Sequence, residues 1–151
     1  MSALLNNRVL IAALLGWFVA QTMKVIIHVI QTKQFDIERL SGAGGMPSSH
    51  SCMVTALTIS TAMVEGVQST AFALALIFAF VTLYDAMGVR HQAGLHAKTL
   101  NQFIEIMQKA NEGQDQWDTL SALKEFIGHK PLEVLVGTLM GALIGVLTCL
   151  V

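Results

Sequence analysis

Apolar residues come in four runs separated by polar stretches of unequal length. The first goes from Val9 to Ile30, interrupted only by Gln21, Thr22, Lys24 and His28. At 1.5 Å per residue it makes about 33 Å of helix, enough to cross a bilayer core. Arg8 precedes it, as in a signal peptide, but no small-residue cleavage pattern follows, so a retained span over about 8–31 is expected. A second run, about 49–65, is short and rich in Thr55, Thr58, Ser60 and Thr61, which suits contact with other helices. Glu65 to Ser69 is a tight connection to the third run, about 69–86, which is apolar until Tyr84 and Asp85. The fourth, about 131–151, carries Gly137, Gly141 and Gly145, a spacing that lets a neighbouring helix approach closely.

Between the third and fourth runs the pattern changes. Leu95, Leu100, Phe103, Ile104 and Met107 recur at helical spacing among Gln, Lys and Glu, so an amphipathic helix is expected along the membrane or over the bundle. Asn111 to Asp115 breaks it, and Trp117 to Ile127 reads as a second short helix ended by Gly128. A lid over a site and a contact with a second copy in a homo-oligomer are the two roles open to this 92–127 region. The fold class expected is therefore all-α: an integral membrane four-helix bundle, one domain over 1–151, with additional helices between the third and fourth spans.

Composition supports the membrane reading. The 151 residues are 54% hydrophobic and 13% charged, against about 25% charged in soluble domains. Mean hydropathy is +0.61. The net charge of -1 argues against nucleic acid as a partner and leaves membrane lipids as the natural one. Cys52 and Cys149 have no metal-ligand spacing and read as buried small hydrophobes. Four spans would put the 31–47 loop and the 86–130 segment on one side, with Lys33, Arg39, Arg90, Lys98, Lys109, Lys124 and Lys130. By the positive-inside bias that side is cytoplasmic, in a multi-pass protein of the cell's inner (plasma) membrane.

That topology gathers the unusual residues on one face. Gly44-Gly45-Met46-Pro47-Ser48-Ser49-His50-Ser51 combines a flexible turn, a proline suited to a first helical turn and serines that can cap. His50 then sits at a helix N-terminus, where N–H groups and the macrodipole favour an anion. His129 opens the fourth span, and Glu133, one turn later, can accept its ring N–H and raise its basicity. Arg90 offers a fork for phosphate oxygens, and Asp85 lies nearby in sequence. Lys24 shares one helical face with Gln21 and His28; intramembrane lysines usually face a bundle interior. Snorkelling of Lys24, a solvated His28 and an Asp85–Arg90 ion pair are the plainer readings. A metal held by His50, Asp85, His129 and Glu133 is rival chemistry, which the cationic surroundings oppose.

The motifs at 44–51, Tyr-Asp-Ala-Met-Gly-Val-Arg at 84–90 and Gly-His-Lys-Pro-Leu-Glu-Val at 128–134 resemble a known family. It is the divergent acid phosphatase/vanadium-dependent haloperoxidase-related membrane proteins, allied to the type 2 phosphatidic acid phosphatase superfamily. Gln21 to Lys24 and Leu100-Asn101 extend the likeness. The resemblance implies a nucleophilic His129 oriented by Glu133 and a general-acid His50. It also implies a phosphate cradle at Ser48 and Ser49, with Lys24 and Arg90 binding phosphate oxygens; Asp85, which has no counterpart in the superfamily's motif, joins the phosphate-binding set by its position on the same face. Ser49 stands where the superfamily has glycine, Glu133 where it has aspartate, and Arg90 lies 39 residues before His129 rather than a few. The expected activity is hydrolysis of a lipid phosphate through a phosphohistidine, with no metal or other cofactor and with vanadate as an inhibitor that mimics phosphate. The rival is a protein that binds or transports a lipid headgroup or anion without cleaving it.

Overall fold

A computed structural model describes residues 6–33, 45–110, 123 and 131–151; of Arg90, His91 and Ala110 only the backbone is described. Five helices follow in order: α1 (Arg8–Thr32), α2 (Ser49–Glu65), α3 (Thr70–Met87), α4 (Val89–Ala110) and α5 (Pro131–Leu150). Their ends are set by local chemistry. Asn7, Ser48 and Ser69 cap α1, α2 and α3, each side chain accepting a first-turn N–H. Lys33 closes α1 in the left-handed conformation, its N–H bonded to the Val29 carbonyl at 2.8 Å. Gly66, at φ +82°, turns the chain from α2 to α3, and its carbonyl accepts the Ser69 N–H and hydroxyl.

The protein is an all-α membrane protein, and its packing is inverted relative to a soluble one. Large apolar side chains face outward: Phe18, Ile30, Leu74, Phe80, Leu139 and Leu143 are each at least 60% exposed. The interior is built from small residues. Ala12, Gly16, Ala20 and Lys24 recur every fourth position along the buried stripe of α1. On α5 the buried stripe is Val134, Gly137, Gly141 and Gly145. Such a division makes sense only where hydrocarbon surrounds the bundle, since lipid tails accept Leu and Phe while close helix contact needs small residues. Among the described residues three helices are long and apolar enough to cross a membrane: α1, the α3 helix with its continuation, and α5.

The 17-residue α2 is the axis of the bundle, packed on α1, α3 and α5. A methyl group on Gly141 would collide with the Cys52 carbonyl, and one on Gly145 would meet Ala56 and Ile59. Gly16 of α1 faces the same Cys52 and Ala56 from the other side. The register shows α2 and α5 parallel, with α1 antiparallel to both; Arg8 at the start of α1 bonds the Cys149 carbonyl at the end of α5. Thr58 donates to the Ala75 carbonyl at 3.2 Å and ties α2 to α3. Both cysteines are free, and Cys52 is buried in this seam.

The amphipathic helix expected from about 92 begins earlier, at Val89. Gly88 interrupts α3 for a single residue: its N–H still reaches Tyr84, and its carbonyl already accepts from Gln92. Among the described residues α4 touches no helix but α3. Its polar face carries the Glu105–Lys109 pair, and Lys109 holds the Glu105 carboxyl below its usual range. Asn101 makes two hydrogen bonds to the backbone of Leu123, at 2.8 and 2.9 Å. The short helix expected over Trp117 to Ile127 otherwise lies outside the described residues, as does the 34–44 part of the first polar loop.

Candidate functional site

The end of the bundle where α1 and α3 finish and α2 and α5 begin holds the polar residues singled out in the sequence. Ser48 is fully buried and Ser49 3% exposed, at the very start of α2. The Ser48 Oγ accepts the Ser51 N–H at 3.3 Å and the Ser51 hydroxyl at 2.8 Å. The same residue's N–H donates to the Glu133 carbonyl at 3.1 Å, so the first turns of α2 and α5 are joined. Intrahelical bonding leaves the first N–H groups of a helix without a helical acceptor, and two such ends converge here with their positive dipole ends.

Lys24 reaches this place from α1. It is 4% exposed, which excludes snorkelling to the surface as its resting position. The aliphatic stem passes beside Gly45: a Cβ there would lie 3.4 Å from Lys24 Cγ and 3.5 Å from Cδ. Gly45 also holds φ +86°, which a side chain would resist. One turn earlier Gln21 is buried on the same stripe, as its spacing in the sequence suggests. His50 is half-buried in the first turn of α2, and Glu133 half-buried in the first turn of α5. Asp85 is half-buried in the last turn of α3 at the same bundle end.

The structure therefore brings Lys24, Ser48, Ser49, His50 and Glu133 to one end and puts Asp85 at that end too. It adds no test of the two remaining residues: His129 and the side chain of Arg90 lie outside what is described. Among the described residues no three of His, Cys, Asp and Glu are grouped to hold a metal ion.

Two contributors were not singled out for this role. Ser51 locks the capping serine by donating to it. Gly137 forms the wall behind it: a Cβ at that position would overlap the Ser48 carbonyl and crowd Ser51. The four-residue glycine spacing announces a close helix neighbour but does not say that the neighbour is the cradle itself.

Chemically, an end with two helix N-termini, a buried ammonium, an imidazole and buried hydroxyls is suited to an anion with several oxygens. The class thus defined is an all-α membrane protein whose polar residues gather at one bundle end. The chain belongs to the divergent PAP2 family, whose model matches residues 5–144. It is also 40% identical over 147 residues to the "Uncharacterized membrane protein YuiD" of Bacillus subtilis (strain 168), covering 93% of each chain. No solved structure matches the chain.

Proposed function

We propose that the protein is a membrane phosphatase that hydrolyses a lipid phosphate, monoester or diphosphate, through a phosphohistidine. The observation that carries this reading is the seating of buried Lys24 against the Gly45 turn, where Ser48 joins the starts of α2 and α5. Membership of the divergent PAP2 family supports it.

In this reading Lys24, Arg90 and the backbone N–H groups of Ser49 and His50 receive the phosphate oxygens, with the Ser48 and Ser49 hydroxyls beside them; the Ser48 N–H is held by the Glu133 carbonyl. Asp85 borders the site and orients the basic groups around it. A ring nitrogen of His129 attacks phosphorus while the bond to the lipid oxygen breaks. Protonated His50 gives its proton to that oxygen, and the lipid alcohol leaves. Neutral His50 then takes a proton from water as the water oxygen attacks phosphorus; the P–N bond breaks and inorganic phosphate is released. Glu133 keeps the His129 ring in the required tautomer. All four bundle helices cross the membrane, and the site faces the cytoplasm of a cell whose inner membrane holds the protein.

The test is phosphate release from purified protein in liposomes, offered a panel of phosphatidic acid, phosphatidylglycerophosphate and polyprenyl phosphates. Wild type should release phosphate from at least one, orthovanadate should suppress it, and His129→Asn should abolish it. Binding of the same lipids without release by either protein would establish the headgroup-binding alternative instead.

A further inference from the structure

Below the cradle, inside the membrane-crossing depth, the bundle is incompletely closed. α3 packs along α2 but only grazes α5, and the gap is a cavity of about 200 Å³ with an almost wholly apolar lining. Thr55 and Ile59 of α2 form one wall, Leu76, Ala79 and Leu83 of α3 another, and Thr138 of α5 the third. Its upper end adjoins the site through the chain itself. Thr55 follows Ser51 by one helical turn, about 6 Å. Thr138 follows Gly137, which backs the Ser48 carbonyl, and Leu83 precedes Asp85 by two residues. Toward its lower end, beside Leu76, the Thr58 hydroxyl lines the cavity and bonds the Ala75 carbonyl, tying α3 to α2. From Leu83 to Leu76 the groove runs about 10 Å.

We infer that this groove holds one hydrocarbon chain of the lipid whose phosphate sits at the Ser48–His50 turn. The inference rests on the phosphate reading of that turn. It adds that the substrate is anchored by a single chain lying between α3 and α5. The occupant follows from position and size. At this depth the surrounding solvent is hydrocarbon, and a dry apolar cavity has no use for water. The cross-section admits one chain, so a second chain of a diacyl lipid stays in the bilayer. Of the three larger clefts, those of about 660 and 700 Å³ both border Arg8, at the opposite end of the bundle from the cradle, and the third, about 600 Å³, lies beyond the groove where α3 passes into α4, between Tyr84 and His96. Straight acyl and branched isoprenoid chains share this chemistry, and the groove alone favours neither.

The experiment uses the full chain in phosphatidylcholine liposomes and two photoreactive probes. One is phosphatidic acid with a diazirine about eight carbons into one acyl chain; the other is an isoprenoid monophosphate with the diazirine at a similar depth. Illumination and peptide mapping should find label on 55–59 and 76–83 at groove-lining positions, competed away by the unlabelled lipid phosphate. Ala79→Leu, which fills the groove, should cut the label about tenfold, the scale on which added methylenes discriminate in an apolar pocket. Thr138→Leu fills it from the other wall and guards against misfolding of the first variant. Whichever probe labels more efficiently identifies the chain type. Label spread over the outward residues Phe78, Val81 and Leu135, or unaltered in both variants, overturns the groove. Groove labelling together with no phosphate release from wild type on any lipid refutes the hydrolase and leaves the groove standing.

Discussion

Lys24 is the residue at which sequence and structure inform each other most. Its spacing from Gln21 and His28 marks a polar stripe, but the same spacing fits a lysine that snorkels to the interface. Burial to 4% exposure decides the matter, and one-dimensional hydropathy cannot supply it, because it depends on Gly45 folding back over the stem. A buried ammonium is expensive to keep in a membrane interior, so its replacement should separate stability from activity. Lys24→Met keeps the length and removes the charge. Phosphate release should fall about 100-fold, the scale of losing one preorganised charge-stabilising group. Resistance to thermal unfolding in detergent should hold or rise. A matched loss of both would make Lys24 a structural residue only.

At the scale of elements, the helix boundaries were legible because caps and apolar runs agree. The second run, 49–65, coincides with α2, and the others differ from the structure by a residue or two. The exception is α4, expected at 92 and found from 89. Gly88 suggests a stop, yet a hydrogen-bond ladder resumes after one residue, so the chain bends instead of ending. Partners were less legible than boundaries. The glycine stripe of α5 says that something packs there, but only the fold says that Gly137 meets the capping serine. Two glycine variants exploit the difference. Gly137→Ala should cost about 1–3 kcal/mol through overpacking. It should also lower phosphate release out of proportion, because Ser48 must move. Gly66→Ala has open space but φ +82° and ψ 153°, a conformation nearly confined to glycine, so it should cost about 1–3 kcal/mol of backbone strain and leave activity per folded molecule unchanged. Unfolding in detergent with phosphate assays on the same preparations distinguishes the two; equal effects on activity would detach Gly137 from the site.

For the whole molecule, the fold class and the shared bundle end follow from the order of four apolar runs, since antiparallel neighbours bring the ends of α1 and α3 to the starts of α2 and α5. The pattern reads α2 as the second of four spans, the weakest of them, since its 17 residues fall short of a self-evident span. Its Thr58, Ser60 and Thr61 would be costly against lipid, but they are satisfied by backbone carbonyls of the preceding turn and, for Thr58, of α3. Packed on three neighbours and parallel to α5, α2 is the fourth crossing in the proposed reading. Then the Gly66–Ser69 turn and the polar loop after Lys33 emerge on opposite sides. With the positive-inside bias, the excess of Lys and Arg on the loop side is the ground for proposing that the phosphate site faces the cytoplasm. A Val67→Cys variant, at a position 67% exposed in the turn, should react in intact cells with a membrane-impermeant thiol reagent. Gln34→Cys should react only after the cells are broken. The native Cys52 is buried, and Cys149 is first replaced by serine so that its partial exposure does not confuse the readout. Both positions labelling in intact cells would mean that α2 does not cross. The reverse order would turn the site outward, toward substrates of the outer leaflet.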